Sequence, residues 1–141
     1  MESAPLDIAQ VVRVFNALPE SYVVVDRARV IVAATESFLA ATGTARERLL
    51  GVDIIVAFPD NPDDPTANGT TVLRNAISNV IESGEAAEIP PQRYDMEQPN
   101  GSFETRYWKP TFLPVFGDDG QVEFVLHGAD DVTAEVLAGE A

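Results

Sequence analysis

The stretch FETRYWKPTFLPVFGDDGQVEFVLHGADDVTAEVLAGEA, from Phe103 to Ala141, decides the fold of this chain. It holds two runs typical of strands, Phe103 to Phe116 and Val122 to Ala129, joined by Gly117-Asp118-Asp119-Gly120. Aromatic and β-branched residues favour strands and Gly-Asp clusters favour turns, so the stretch predicts a long β-hairpin. The second strand runs into Asp131-Val132-Thr133 and a short tail that favours helix. This arrangement suggests a sensor, because movement in the sheet can pass to the outgoing helix.

Composition bounds the class of protein. At 141 residues the chain is long enough for one domain with its own core. Its net charge of -14 argues against nucleic acid and anionic membrane surfaces as partners, because both attract clustered lysine and arginine. The acidity is interpreted as a solvated surface, with an acidic docking face for a basic partner as the alternative.

The absence of cysteine removes disulfides, thiolate metal sites and thiol nucleophiles together, and it is compatible with a reducing cytoplasm. Polar residues interrupt the apolar N-terminal region, so no signal peptide is predicted, and no apolar run is long enough to cross a bilayer. We therefore expect a soluble cytoplasmic protein.

The rest of the chain predicts an α+β fold. An amphipathic helix is expected within residues 1–19, because Ile8, Val11, Val12, Phe15 and Leu18 recur at helical spacing. Other elements follow, and these are strands at 21–26 and 30–35, helices at 36–42, 46–50 and 68–83, and a strand at 87–96 before the Asn100-Gly101 turn, with an edge or bulge expected at Pro90-Pro91. The run Val23-Val24-Val25 is apolar on both strand faces. Helices should therefore cover one face, and the N-terminal helix or a second subunit the other.

This order, with several short motifs, resembles the PAS domain, in particular a branch found in bacterial sensor histidine kinases. The motifs that carry the resemblance are Asn61-Pro62-Asp63-Asp64-Pro65, Arg93-Tyr94-Asp95, Arg106-Tyr107-Trp108 with Pro110 and Pro114, and His127 followed by Asp130-Asp131-Val132-Thr133. The resemblance implies a five-stranded antiparallel sheet with its last strand central and short helices enclosing a pocket on one face. It divides the chain into an N-terminal helix (1–19), a PAS domain (20–133) and the start of an output helix (134–141).

The resemblance also implies which residues face the pocket. In flavin-binding relatives, the residue two before the Asp of the Asp-x-Thr triplet faces the ligand, which corresponds here to Ala129 and, by strand alternation, to His127. The same logic points Arg106, Trp108 and Phe112 inward. Trp108 and Phe112 could instead be plain core, and His127 could be satisfied within the sheet. Arg106 must pair with an acidic side chain, reach solvent or hold an anionic ligand, because an unpaired buried guanidinium is costly.

In PAS proteins the Asp-x-Thr triplet passes changes in the pocket to an output helix, a role that the resemblance gives to Asp131 and Thr133. Thr133 is also predicted to cap a helix that begins at Ala134. An ordinary helix cap is the alternative interpretation. The tail after Thr133 is shorter than the roughly 12 to 15 residues that an isolated helix needs.

The cofactor is unknown. The flavin–thiol adduct requires a cysteine, and the haem-binding relatives commonly use a histidine on the long helix, where this chain has none. Asp60, Pro62, Asp64 and Gly69 faintly suggest a calcium loop, but Thr71 stands where a bidentate glutamate is needed. No metal site is predicted.

The sequence thus predicts a non-catalytic sensory module that binds a small ligand or a partner and signals to an effector such as a histidine kinase. One alternative is a module without a ligand that dimerises through its N-terminal helix and sheet face. The other is a small enzyme that uses His127 and a carboxylate for proton transfer.

Overall fold

The long hairpin predicted at the carboxyl-terminal end is present in the computed structural model, which describes residues 4–139. The elements in chain order are α1 (Ile8–Asn16), β1 (Tyr22–Asp26), β2 (Ile31–Ala34), α2 (Glu36–Thr42), α3 (Arg46–Leu49), α4 (Ile54–Ala57), α5 (Gly69–Ser83), β3 (Ala87–Glu88), β4 (Gln92–Arg93), β5 (Met96–Glu97), β6 (Phe103–Glu104), β7 (Tyr107–Phe116), β8 (Val122–Asp131) and α6 (Thr133–Gly139).

One antiparallel sheet organises the fold, in the order β2-β1-β8-β7-β3. The last strand, β8, is central, as predicted, and it pairs with β1 on one side and β7 on the other. The α+β fold with five strand positions is therefore confirmed.

The edge of this sheet differs from the prediction of one strand over 87–96. Both β3 and β4 pair with β7, and Pro90-Pro91 separates them. Proline lacks the N–H that a strand ladder requires, so the edge is broken into two short pieces. Beyond the break, β5 leaves the sheet and forms its own hairpin with β6 around Gly101, whose φ of 85° suits the predicted turn.

The core lies between the sheet and the helices on one face. Val23, Val25 and Val125 are fully buried on that face of the sheet, and Ile77 of α5 is equally buried above them. The four-residue apolar repeat of α5 explains this packing against β7 and β8. The helix ends at Gly84, whose φ of 69° is the left-handed conformation typical of a C-cap glycine.

The N-terminal helix α1 forms but does not bury its apolar side. Asp7 and Gln10 cap its first turn reciprocally. None of its residues is buried, and Ile8 is 85% exposed. Of the two expected covers for the outer face of the sheet, α1 or a second subunit, α1 is therefore not the one, because a covering helix would bury its own apolar side as well. Within residues 4–139, no helix is long and apolar enough to span a membrane.

Candidate functional site

A cavity lies between the inner face of the sheet and the helices. Its wall is built from α2, α4, α5, the segment between α5 and β5, and the two long strands β7 and β8. The lining residues are Phe38, Thr42, Ile54, Phe58, Gly69, Val72, Leu73, Ile89, Gln92, Tyr94, Met96, Trp108, Pro110, Phe112, His127 and Ala129.

The cavity is small and its surface is almost entirely carbon. Its volume is about 60 Å³, enough for several waters or a small molecule. No Asp, Glu, Lys or Arg of residues 4–139 belongs to the lining. Such a wall favours an uncharged, mainly apolar occupant, because a charged group would lose its hydration without gaining a partner.

Four of the five predicted pocket residues meet in this wall. Trp108, Phe112, His127 and Ala129 all line the cavity, and each is at most 7% exposed. Strand pairing explains the grouping, because Phe112 lies opposite His127 in the register of β7 and β8 and strand alternation keeps the others on the same face. Their role in binding a ligand stays a prediction.

His127 is the only titratable nitrogen in the wall. Its ring stacks on Phe112 with 4.5 Å between ring centroids, and its Nδ1 lies 3.1 Å from the backbone oxygen of Thr111. Burial lowers the pKa of His127 to about 4, against the smaller opposing effect of the Thr111 carbonyl. The imidazole is therefore neutral at pH 7. Because a carbonyl oxygen only accepts, Nδ1 carries the ring proton and Nε2 is an acceptor.

Two of the family motifs are bonded to each other beside Tyr94, a residue of the cavity wall. Asp95, whose side chain is 2% exposed, accepts two hydrogen bonds from Arg93, of 2.9 and 3.0 Å. It also accepts one of 2.9 Å from the Asn61 side chain. Burial acts to raise the pKa of Asp95, but the bonds from Arg93 and Asn61 outweigh it and hold the pKa below its usual range. The proline-rich loop is thus fixed to the strand edge next to the cavity.

Tyr94, which lies between Arg93 and Asp95 in the chain, is itself part of the cavity wall. Its hydroxyl donates to the backbone oxygen of Phe58, and its own backbone oxygen accepts from Trp108 Nε1 at 2.9 Å. Burial, with a smaller effect of the Asp60 charge, raises the pKa of Tyr94. The ring packs on Gly69 so closely that a Cβ there would lie 2.5 Å from Tyr94 Cδ2. Gly69 therefore serves close packing rather than a calcium loop.

The predicted transmission residues lie where β8 ends and α6 begins. Asp131 Oδ1 accepts from the backbone nitrogen of Thr133 at 3.0 Å and from its hydroxyl at 2.6 Å. The Thr133 hydroxyl also accepts from the backbone nitrogen of Tyr107 at 2.9 Å. The helix begins at Thr133 rather than Ala134, and the Thr133 hydroxyl bonds to β7 instead of capping the helix. Asp131 holds the first turn, and Thr133 ties it to the hairpin.

Arg106 belongs to this junction and not to the cavity wall. Its guanidinium donates to Asp131 at 2.7 Å, to Glu104 at 3.1 Å and to the backbone oxygen of Ala41 at 3.3 Å. Of the three alternatives predicted for Arg106, the structure shows pairing with acidic side chains. The prediction that it faces the pocket is therefore wrong, because strand β7 begins only at Tyr107 and strand alternation does not reach Arg106. The same contacts connect α2, one wall of the cavity, with the base of α6.

Asp131 is ionised under ordinary conditions. Burial acts to raise its pKa, but the hydrogen bonds from Thr133 and then Arg106 outweigh burial and lower the pKa below the usual carboxyl range. Within residues 4–139, no three acidic, histidine or cysteine side chains are placed to share a metal ion.

Sequence reasoning missed the roles of Asn61, Asp95 and Gly69. The first two carried the family resemblance, but nothing in their spacing showed that residues 34 positions apart would bond. The available signal at Gly69 was a glycine in the first position of a helix. Serine or alanine would form the helix there equally well, so a glycine indicates close packing.

The sheet, the helices on one face and the cavity between them define a small α+β module that can hold a ligand or a packed core. The family model described as the PAS fold matches residues 15–137, so this chain belongs to the PAS family. PAS domains are sensory and signalling modules.

Solved structures share the fold at low sequence identity. A sensory box sensor histidine kinase from Vibrio cholerae aligns with a TM-score of 0.58 and 20% identity, covering 87% of this chain and 89% of that one. A PAS domain from Colwellia psychrerythraea aligns with a TM-score of 0.66 and 16% identity, covering 90% and 98%. The PAS domain of the fruit-fly ELK potassium channel gives 0.64 and 15%, covering 92% and 99%. No curated protein sequence matches this chain significantly.

Proposed function

We propose that this chain is a cytoplasmic sensory module that binds a small molecule in its cavity and signals through Asp131 and Thr133 to an effector such as a histidine kinase. Any kinase activity would belong to a separate effector domain. The lack of cysteine supports the location, and the fold shared with a sensor histidine kinase supports the effector class.

One observation carries the proposal: the cavity wall and the base of α6 share one end of β7. Trp108 lines the cavity, and its neighbour Tyr107 bonds through its backbone nitrogen to Thr133 and through its backbone oxygen to the nitrogen of Val132 at 2.9 Å. A ligand that moves Trp108 therefore displaces the groups that hold α6. A ligand shifts the module only as far as it prefers one arrangement over the other.

The test begins with native mass spectrometry of freshly purified protein, which detects a retained molecule. Amide NMR spectra of the loaded protein and of protein refolded without that molecule are then compared at Tyr107 and Thr133. We expect both amides to shift on loading, and Asp131→Ala to reduce the Thr133 response. The control is Glu104→Ala, which removes another acceptor of Arg106 and leaves Thr133 alone. Loaded and empty protein with the same junction spectra would refute the proposal.

A second candidate function, dimerisation, is favoured by exposed apolar surface. In α1, Ile8, Val11 and Val12 are at least half exposed, and on the outer face of the sheet Leu113 and Val115 are each 42% exposed. Apolar side chains exposed on a helix and on one face of the sheet suit a second copy of the chain.

Sedimentation velocity over a range of protein concentrations tests this candidate. Val12→Glu should weaken association, whereas Arg13→Gln makes the same change of charge on the polar side of α1 and should not. Added salt should strengthen association, because two copies of net charge -14 repel each other. A monomer at every concentration and salt would refute this candidate.

The structure does not provide the group that the enzyme alternative required. That alternative needed a carboxylate within hydrogen-bonding reach of His127, and in residues 4–139 the only hydrogen-bond partner of that ring is the Thr111 backbone. We assign no catalytic residue.

A further inference from the structure

His127 gives the mainly apolar cavity wall an acceptor nitrogen that has no donor in the described part of the chain. The ring is 7% exposed, stacks on the Phe112 ring and lines the cavity together with it. Its Nδ1 is committed to the Thr111 backbone oxygen at 3.1 Å. Among residues 4–139, Nε2 forms no hydrogen bond. Nε2 is thus an acceptor with no donor from the described residues, and an occupant of the cavity that supplies an N–H or O–H gains a hydrogen bond there.

From this geometry we propose that the cavity selects a small, uncharged, mainly apolar molecule that carries one N–H or O–H, which donates to His127 Nε2. This inference rests on the proposed function and names the class of ligand for the same cavity. A carboxylate ligand is excluded from it, because Arg106, the cation first assigned to the pocket, is bound to Asp131 and Glu104 outside the wall.

The volume of the cavity narrows the class of ligand further. The cavity of about 60 Å³ is less than half the roughly 150 Å³ of an apolar cavity that binds benzene. It therefore suits a handful of non-hydrogen atoms, with Met96 as the wall residue most able to adapt. A flat five-membered ring fits this size, and its N–H must lie in the plane of the His127 ring, where the Nε2 lone pair points.

Pyrrole and furan form a matched pair of probes for this inference. Both are flat, uncharged rings of five atoms, and they differ in that pyrrole has an N–H where furan has an oxygen. One net hydrogen bond predicts that pyrrole binds about three- to tenfold more tightly than furan. Pyrrole-2-carboxylate, which adds a negative charge, should not bind. Dissociation constants come from titrations followed by amide NMR at Trp108 and Ala129.

His127→Phe is the informative variant, because it removes the acceptor and keeps a flat ring against Phe112. The preference for pyrrole should disappear while furan binding remains. If this variant fails to fold, long-range nitrogen NMR of wild-type His127 provides an independent measurement, and it should report the Nδ1–H tautomer with an Nε2 signal that shifts on adding pyrrole but not furan.

The outcomes separate this inference from the proposed function. Equal affinity for pyrrole and furan would overturn the donor requirement and leave a ligand-binding cavity intact. Tighter binding of the carboxylate would overturn the ligand class. If neither ring binds while native mass spectrometry shows another retained molecule, the inference fails alone. If neither binds and the protein is empty as purified, both fail.

Discussion

Lowering the pH from 7 towards 4.5 should destabilise this protein mainly through His127. The folded state keeps the ring neutral, with a pKa of about 4, whereas the unfolded chain binds a proton with a pKa near 6.5. Stability from this group is therefore complete above pH 6.5 and is lost as the pH falls towards 4. One pKa unit corresponds to about 1.4 kcal/mol, so the full loss is roughly 3 kcal/mol.

The assay is urea unfolding at intervals between pH 7.5 and 4.5. The free energy of unfolding should fall with a slope approaching 1.4 kcal/mol for each pH unit below 6.5. Because His127 is the single histidine in the chain, no other side chain has its ordinary pKa between 5 and 8. His127→Gln is the control, since its profile contains only the carboxylates and the changing net charge.

Proton NMR of the ring gives the same quantity directly. The His127 ring signals should titrate with a midpoint near 4, or vanish into the unfolded spectrum before reaching it. A ring that titrates near 6.5 in folded protein, or a flat stability profile from 6.5 to 4.5, would refute the reasoning, because either result means that the imidazole is solvated.

Three further predictions concern stability. Gly69→Ala should cost about 1–3 kcal/mol in urea unfolding, because its Cβ would overlap the Tyr94 ring at 2.5 Å, whereas Gly139→Ala, with nothing within 4 Å, should be nearly neutral. Asp131→Ala should cost about 1–2 kcal/mol by the same assay, combining a lost helix cap with a half-solvated ion pair, and a neutral result would contradict its role in holding α6. Asp95→Ala should cost about 3 kcal/mol, because its donors include an arginine and an amide that lose a buried acceptor, and a cost below 1 kcal/mol would show that the loop is held by other contacts.

Local sequence patterns determined most of the elements. The two long strands follow from aromatic and β-branched runs around a Gly-Asp turn, and α5 follows from an apolar residue pair every four positions. Strand alternation was enough to put Trp108 with Phe112 and His127 with Ala129 on one face of each strand, since alternation is a property of the backbone and needs no partner. That both pairs face inward was implied by the family resemblance. The sequence pattern could not predict the size of the cavity in front of these residues, because that size depends on how α2, α4, α5 and the segment after α5 pack against the sheet.

The break at Pro90-Pro91 was visible in the sequence and predicted an edge or bulge, but the division into two short strands was not predicted. Proline excludes a continuous ladder, and only the folded chain shows that β3 and β4 still share one edge of β7 while β5 turns away. Pairing between strands depends on where the rest of the sheet lies, which no local pattern contains.

The sequence alone thus determined the order of the elements that resembles the PAS domain, the residues that share a face within each long strand and the position of Asp131 and Thr133 after the last strand, because each depends on residues close together in the chain. Only tertiary structure decided the destination of Arg106, which bonds to Ala41, Glu104 and Asp131 from three separate elements. Tertiary structure likewise decided that the apolar side of α1 is exposed and that His127 Nδ1 bonds to the backbone oxygen of Thr111. A charged or polar side chain pairs with whatever group lies within about 3 Å of it. Which groups come that close depends on how the whole chain folds.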